Sequence, residues 1–218
     1  MKKKIVIIFT ILMLAAPVAA FPKIEKCFAE KTEILKTEIR EKYGLNVYVG
    51  IYPENNGRYK DVSYSSIRLY LYIRQFEKIL DLYSEEVISF LPDIYFISSE
   101  EDSYYQTLGE VGTFFGKPIY LTLNIAAGAP LLSLPFIETE TFSDVVHHEI
   151  FHVIDSAFPL QDEKEYEAID EPCFMISSYA CTNSDEEQAD AWAYSISGKI
   201  DSAKANYLHS YYDELVFK

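Results

Sequence analysis

Apolar and polar positions divide the chain into a mixed first part and a helical second part. From Ile24 to Tyr43, good helix formers carry Ile34, Leu35 and Ile39 on one side and run into Gly44, a residue suited to stopping a helix. Leu45 to Tyr52 then alternates, with Val47, Val49 and Ile51 in phase, and predicts a strand. A polar turn at Asn55-Asn56-Gly57 precedes a long amphipathic stretch, about Tyr64 to Leu91. Its apolar positions include Ile67, Leu71, Ile79, Leu80 and Val87, and Pro92 stops it. Asp93 to Ser98 predicts a short buried strand. Val111 to Leu123 predicts a β-hairpin turning near Gly116-Lys117-Pro118, with Ile119 to Leu123 as its second strand. From Thr141 onward the strand signals stop and helical spacing takes over. The pattern predicts an α+β fold on one core, with an N-terminal mixed α/β lobe holding a small sheet and a C-terminal, mostly helical lobe.

The first twenty residues do not belong to that core. Lys2, Lys3 and Lys4 precede an apolar run from Ile5 to Ala16, and Val18-Ala19-Ala20 offers small residues for cleavage, so residues 1–20 read as a secretory signal peptide. The apolar stretch is shorter than the roughly 18 to 20 residues that span a bilayer, which leaves residues 21–218 as a single domain with no stable membrane insertion expected. The implied destination is secreted: extracellular, cell-surface or periplasmic. Charge narrows the partners. With 19 Lys and Arg against 34 Asp and Glu, the net charge is −15, and such a surface repels a phosphate backbone, so nucleic acid is excluded as a partner. Export permits disulfides, but Cys27, Cys173 and Cys181 are too few for a disulfide framework. Cys173 and Cys181 flank a turn-like Ser177-Ser178 and can pair; free thiols are the other reading. No Cys-x2-4-Cys spacing points to a cysteine zinc site.

The chemistry is concentrated in the helical part. Residues 147–155 read HHEIFHVID, which contains His148-Glu149-Ile150-Phe151-His152, and Val145, Val146, Phe151, Val153 and Ile154 give the segment a helical apolar pattern. Thr141-x-x-Asp144 supplies a helix start just upstream. On a helix, residues i and i+4 share a face, so both imidazoles reach one tetrahedral cation while Glu149 stands beside its open position. That is the arrangement of a hydrolytic Zn²⁺ site, one ion per chain. A third ligand is sought in the acidic run Asp185-Glu186-Glu187-Gln188-Ala189-Asp190. If this run begins the helix that continues through Ala191-Trp192-Ala193, Glu186 and Asp190 share a face, and Asp190 can accept the outer N–H of a liganding histidine. Glu187 is a rival for the ligand role, since periodicity alone leaves the helix phase open. Acidic residues also favour a first helical turn for electrostatic reasons alone.

Taken together, His148-Glu149-x-x-His152-x-x-Asp155, then Ser178-Tyr179-Ala180-Cys181-Thr182-Asn183 and Glu186-x-x-Ala189-Asp190-Ala191 resemble the catalytic domain of anthrax lethal factor and the small secreted Pro-Pro endopeptidases that share its fold. The likeness covers about residues 145–155 and 177–193. It implies a zincin-like fold with an active-site cleft between the lobes and a zinc metalloendopeptidase of the gluzincin type. By position it makes His148, His152 and Glu186 the metal ligands, Glu149 the general base, Tyr179 the hydrogen-bond donor to the oxyanion and Asp190 the outer partner of a ligand. Asp190 stands where the family commonly has Glu, and the connection from His152 to Tyr179 is short. Trp192, in the glutamate helix, reads as core.

The expected partner is a protein or peptide substrate bound in extended form, on a monomeric chain. Ile119 to Leu123 is the strand considered for β-augmentation, with Tyr120 and Thr122 on the face opposite Ile119, Leu121 and Leu123; an ordinary internal strand fits the same pattern. Residues 124–130 form either a loop over the cleft or a plain connection. Two other classes use the same residues: a catalytically inactive zincin-fold binding protein, and a zinc hydrolase acting on a non-peptide amide. An intact Glu149 separates the first of these from a protease.

Overall fold

Four strands in the order β1-β2-β4-β3 form one sheet: β1 (Val47–Val49), β2 (Asp93–Ile97), β3 (Gly109–Phe114) and β4 (Lys117–Asn124). This is a computed structural model. It describes residues 21–50, 65–97, 109–114, 116–125 and 135–217; the leader expected at 1–20, the turn expected at Asn55-Asn56-Gly57 and residues 126–130 lie outside them. Strands β1, β2 and β4 run parallel, and β3 lies antiparallel to β4 as the predicted hairpin, with Glu110 opposite Thr122 and Val111 opposite Leu121. The hairpin turns through Gly116, whose φ of 73° lies in the left-handed region that glycine enters without strain. Pro118 sits beyond the reach of β2, which begins its pairing at Tyr120, so its missing N–H costs no ladder bond.

Helix α1 (Phe21–Tyr43) ends where Gly44 takes φ 75° and returns its N–H to Arg40 O at 3.0 Å, the stop its sequence foretells. The stretch from 64 to 91, which periodicity makes one helix, is two: α2 (Ser66–Leu80) and α3 (Glu85–Phe90). The break has a tertiary cause. Tyr83 is fully buried and bridges Phe217, Ser84 N–H donates to Val216 O at 2.7 Å, and the Ser84 hydroxyl donates to Leu215 O, 131 positions along the chain. The same hydroxyl accepts the Val87 N–H and restarts the helix.

After the sheet come α4 (Pro135–Ala157), α5 (Glu163–Glu167), a 3-10 turn at Cys173–Met175, α6 (Ser184–Ile196) and α7 (Ala203–Val216). The fold is thus mixed α and β, with a small sheet followed by helices. Helix α4 begins at Pro135 rather than at Thr141. Proline is favoured in a first helical turn, where its absent N–H has no helical partner to lose, and Asp144 is not a cap but accepts from Ser197 Oγ and Lys199 Nζ at the far end of α6. Helix α4 is the central element. On one flank Phe142 meets Phe96 of β2 and Tyr72 of α2, at ring separations of 6.2 and 4.6 Å. On the other, Phe151 meets Trp192 of α6 and Tyr212 of α7, both at 5.6 Å. Trp192 is fully buried, as its core reading requires. Losing a buried ring of this kind typically costs about 3 to 5 kcal/mol, so both flanks hold α4 firmly in place.

Candidate metal centre

His148 and His152 lie one turn apart on α4, and their Nε2 atoms come within 3.1 Å of each other. Facing them is the N-terminal turn of α6, which starts because the Asn183 side chain accepts the Glu186 N–H at 3.0 Å. The two helices run antiparallel, and three rungs fix their register: Glu186 against His152 and His148, Asp190 against His148, and Ser197 with Lys199 against Asp144. Glu186 Oε2 lies 2.9 Å from His148 Nε2 and 3.4 Å from His152 Nε2. Three potential ligand atoms, one from each residue, all fall within 4.8 Å of one another. His148, His152 and Glu186 can therefore hold a metal ion.

The rival carboxylate is turned away. Glu187 is buried on another face of α6, where Lys204 Nζ donates to both its oxygens at 2.8 Å and lies over the Tyr166 ring. One position along a helix is a rotation of about 100°, enough to commit one carboxylate to the cleft and its neighbour to the core.

The electrostatics point to a cation. Asp190 Oδ1 accepts the Nδ1–H of His148 at 2.8 Å, which turns Nε2 toward Glu186 and His152. Glu186 Oε2 is buried without a properly directed hydrogen-bond donor, despite its short distances to both rings. Groups that converge this closely need a positive charge between them, a proton or a metal ion. Without a metal ion, a proton meets that need. Burial works to lower the His148 pKa but is outweighed by Asp190 and Glu186, which raise it to about 10, while the two histidines hold the Glu186 carboxyl well below the usual range.

Glu149 stands next to this cluster and is 5% exposed. Burial pushes its carboxyl up to about 7, with His148 and His152 opposing and Glu186 and Glu110 adding to the rise. Its place depends on Gly109: a Cβ there would stand 2.5 Å from Glu149 Oε1 and 2.6 Å from its Cγ. A cleft of about 380 Å³ opens over these groups. Gly109, Glu110, Val111 and Thr113 line it from β3, the metal residues and Asp155 from the helices, and Tyr179 from the connection before α6. Tyr179 is 54% exposed, with its ring 5.9 Å from that of His148, and burial followed by Glu186 and Glu149 pushes its hydroxyl up to about 12.

The strand at the cleft is β3, not β4. Strand β4 pairs on both sides and is internal, whereas among the described residues β3 is the sheet edge; the hairpin pattern marks both strands but not which one ends the sheet. Tyr179 belongs to a turn closed by a disulfide between Cys173 and Cys181, and Cys27 is free and exposed. Inside that turn Ser177 donates to Asp190 Oδ2. Sequence reasoning missed Ser177 and Gly109, and no local pattern signals either, because their partners are brought to them only by the fold. No helix among the described residues is long and apolar enough to cross a membrane. Comparison with protein-family models, with curated proteins and with solved structures finds no match in any of the three.

Proposed function

We propose that this chain is a secreted zinc metalloendopeptidase of zincin-like fold, as the lethal factor-like motifs suggest. The observation that carries the reading is the convergence of His148, His152 and Glu186 beside a buried Glu149 under an open cleft. Two imidazoles and one carboxylate form a donor set suited to zinc rather than to an all-oxygen cation. Tetrahedral zinc with donors at about 2.0–2.1 Å separates neighbouring ligand atoms by about 3.4 Å. The observed separations of 3.1, 2.9 and 3.4 Å need only small adjustments to fit.

A zinc ion bound there supplies Lewis-acid polarisation and a water of lowered pKa. Asp190 keeps His148 in the tautomer whose Nε2 faces the ion. Glu149 takes the proton from the attacking water and delivers it to the leaving amine, a task for which a carboxyl raised towards neutrality is matched. Tyr179, kept protonated far above neutral pH, donates to the oxyanion that develops on the scissile carbonyl. The edge of β3 offers backbone groups to an extended peptide, the role considered for β4 from sequence.

The test is metal analysis of the purified chain together with cleavage of a diverse peptide library, with and without a chelator. One zinc per chain and cleavage that stops with chelator and returns with zinc are expected. Glu149→Gln is expected to keep the zinc and lose activity by about 10²- to 10⁴-fold. Stoichiometric zinc with no peptide cleaved would favour a binding protein or a non-peptide substrate, and a chain that takes up no zinc would sink the assignment.

A further inference from the structure

Beyond the metal ligands, one hydroxyl joins two parts of the site that the chain keeps apart. Ser177 donates to Asp190 Oδ2 and accepts the Ala180 N–H at 2.8 Å. The other Asp190 oxygen receives the His148 Nδ1–H at 2.8 Å, and Asp190 itself is 5% exposed, so each of its oxygens has one assigned donor. Ala180 lies between Tyr179 and Cys181, and Cys181 is bonded to Cys173, so the Tyr179 turn is closed covalently and fastened to α6 through Ser177.

We infer that Ser177 is a positioning residue that locks the Tyr179 turn to the His148 imidazole through Asp190, so that oxyanion donor and metal ligand are set by a single network. The inference rests on the metal reading above. Its physical content is specific. Without the hydroxyl, one buried carboxylate oxygen loses its donor, Asp190 can rotate away from Nδ1, and the Ala180 amide loses the acceptor that shapes the turn. A serine that only stabilised the fold would lower the melting temperature and leave the metal's surroundings alone.

The experiment uses the full chain loaded with cobalt, whose visible ligand-field bands report imidazole geometry independently of activity. Spectra and rates of metal loss to a chelator are compared for the wild type, Ser177→Ala and the exposed neighbour Ser178→Ala. Ser177→Ala is expected to shift the bands, lose metal about 10- to 100-fold faster and lower kcat over the same range, with KM changed less than about twofold. Ser178→Ala should match the wild type. If Ser177→Ala does not fold, Ser177→Thr and Ser177→Val give the decisive pair: equal in size, one keeps the hydroxyl and should keep the wild-type bands, the other lacks it and should shift them. Wild-type bands and metal-loss rate in the hydroxyl-free variants would overturn the coupling while leaving the metal site standing. A wild-type chain that binds no cobalt would overturn the metal reading and the coupling with it.

Discussion

Glu186 and Glu187 are neighbours with opposite fates: one faces two histidines, the other a buried ammonium. Glu186→Ala is expected to weaken zinc binding by about 10²-fold or more while the fold persists, and competition with a chromogenic chelator measures it. Glu187→Ala should do the reverse. It leaves Lys204 buried and unpaired, at a cost of about 3 to 5 kcal/mol in chemical denaturation, and zinc affinity at low denaturant should hold. Gly109→Ala acts on Glu149, the proposed base, rather than on the proposed metal ligands. Its Cβ would collide with Glu149, and a displacement of about 1 Å at a catalytic group is worth about 10² in rate, so zinc content should be normal and kcat low. Unchanged kcat would show that Glu149 relaxes without consequence. At this scale the sequence is most legible where partners are local. The histidines and Glu149 occupy one helical turn, and the Asn183 cap sets the turn that carries Glu186. Gly109 and Ser177 matter only through residues that folding brings to them.

Among the elements, the hairpin, the glycine stop after α1 and the helical second half were legible, because alternation, left-handed glycine and helical spacing are local signals. The start of α4, the break between α2 and α3, and the identity of the edge strand were not. The break depends on Val216 and Phe217, and which strand ends the sheet depends on which neighbours arrive. The hairpin carries its own test. A Cβ on Gly112 would lie 2.1 Å from the Tyr120 ring, a contact that neither strand can absorb without moving. Gly112→Ala is expected to destabilise the protein by about 1 to 3 kcal/mol, read as a lower midpoint in thermal or urea unfolding, and to loosen the strand that lines the cleft. Faster amide exchange in β3 than in β2 of that variant would place the loss at the edge.

For the molecule as a whole, one source of acid sensitivity in the core is His147, 2% exposed, whose Nδ1 lies 2.7 Å from the hydroxyl of the equally buried Tyr83. Burial lowers the His147 pKa from 6.5 to about 4. The folded chain then binds fewer protons than the unfolded one between those values. This contribution to stability is complete above pH 6.5, declines as pH falls towards 4 and changes no further below it, for a total of about 3 kcal/mol. In metal-free protein, the stability difference between wild type and His147→Phe should shrink by that amount across the window; a constant difference would assign the acid sensitivity elsewhere. Tyr83 carries a second consequence through its bridge to Phe217, whose ring also lies parallel to that of Trp192 at 5.5 Å. A ribosome delivers these partners in order, the tyrosine early and the phenylalanine more than a hundred residues later. Until that late arrival the kink before α3 lacks its Val216 and Phe217 contacts and Trp192 lacks its parallel neighbour. The helix that carries Glu186 is therefore packed in full only after the chain has grown more than a hundred residues past Tyr83.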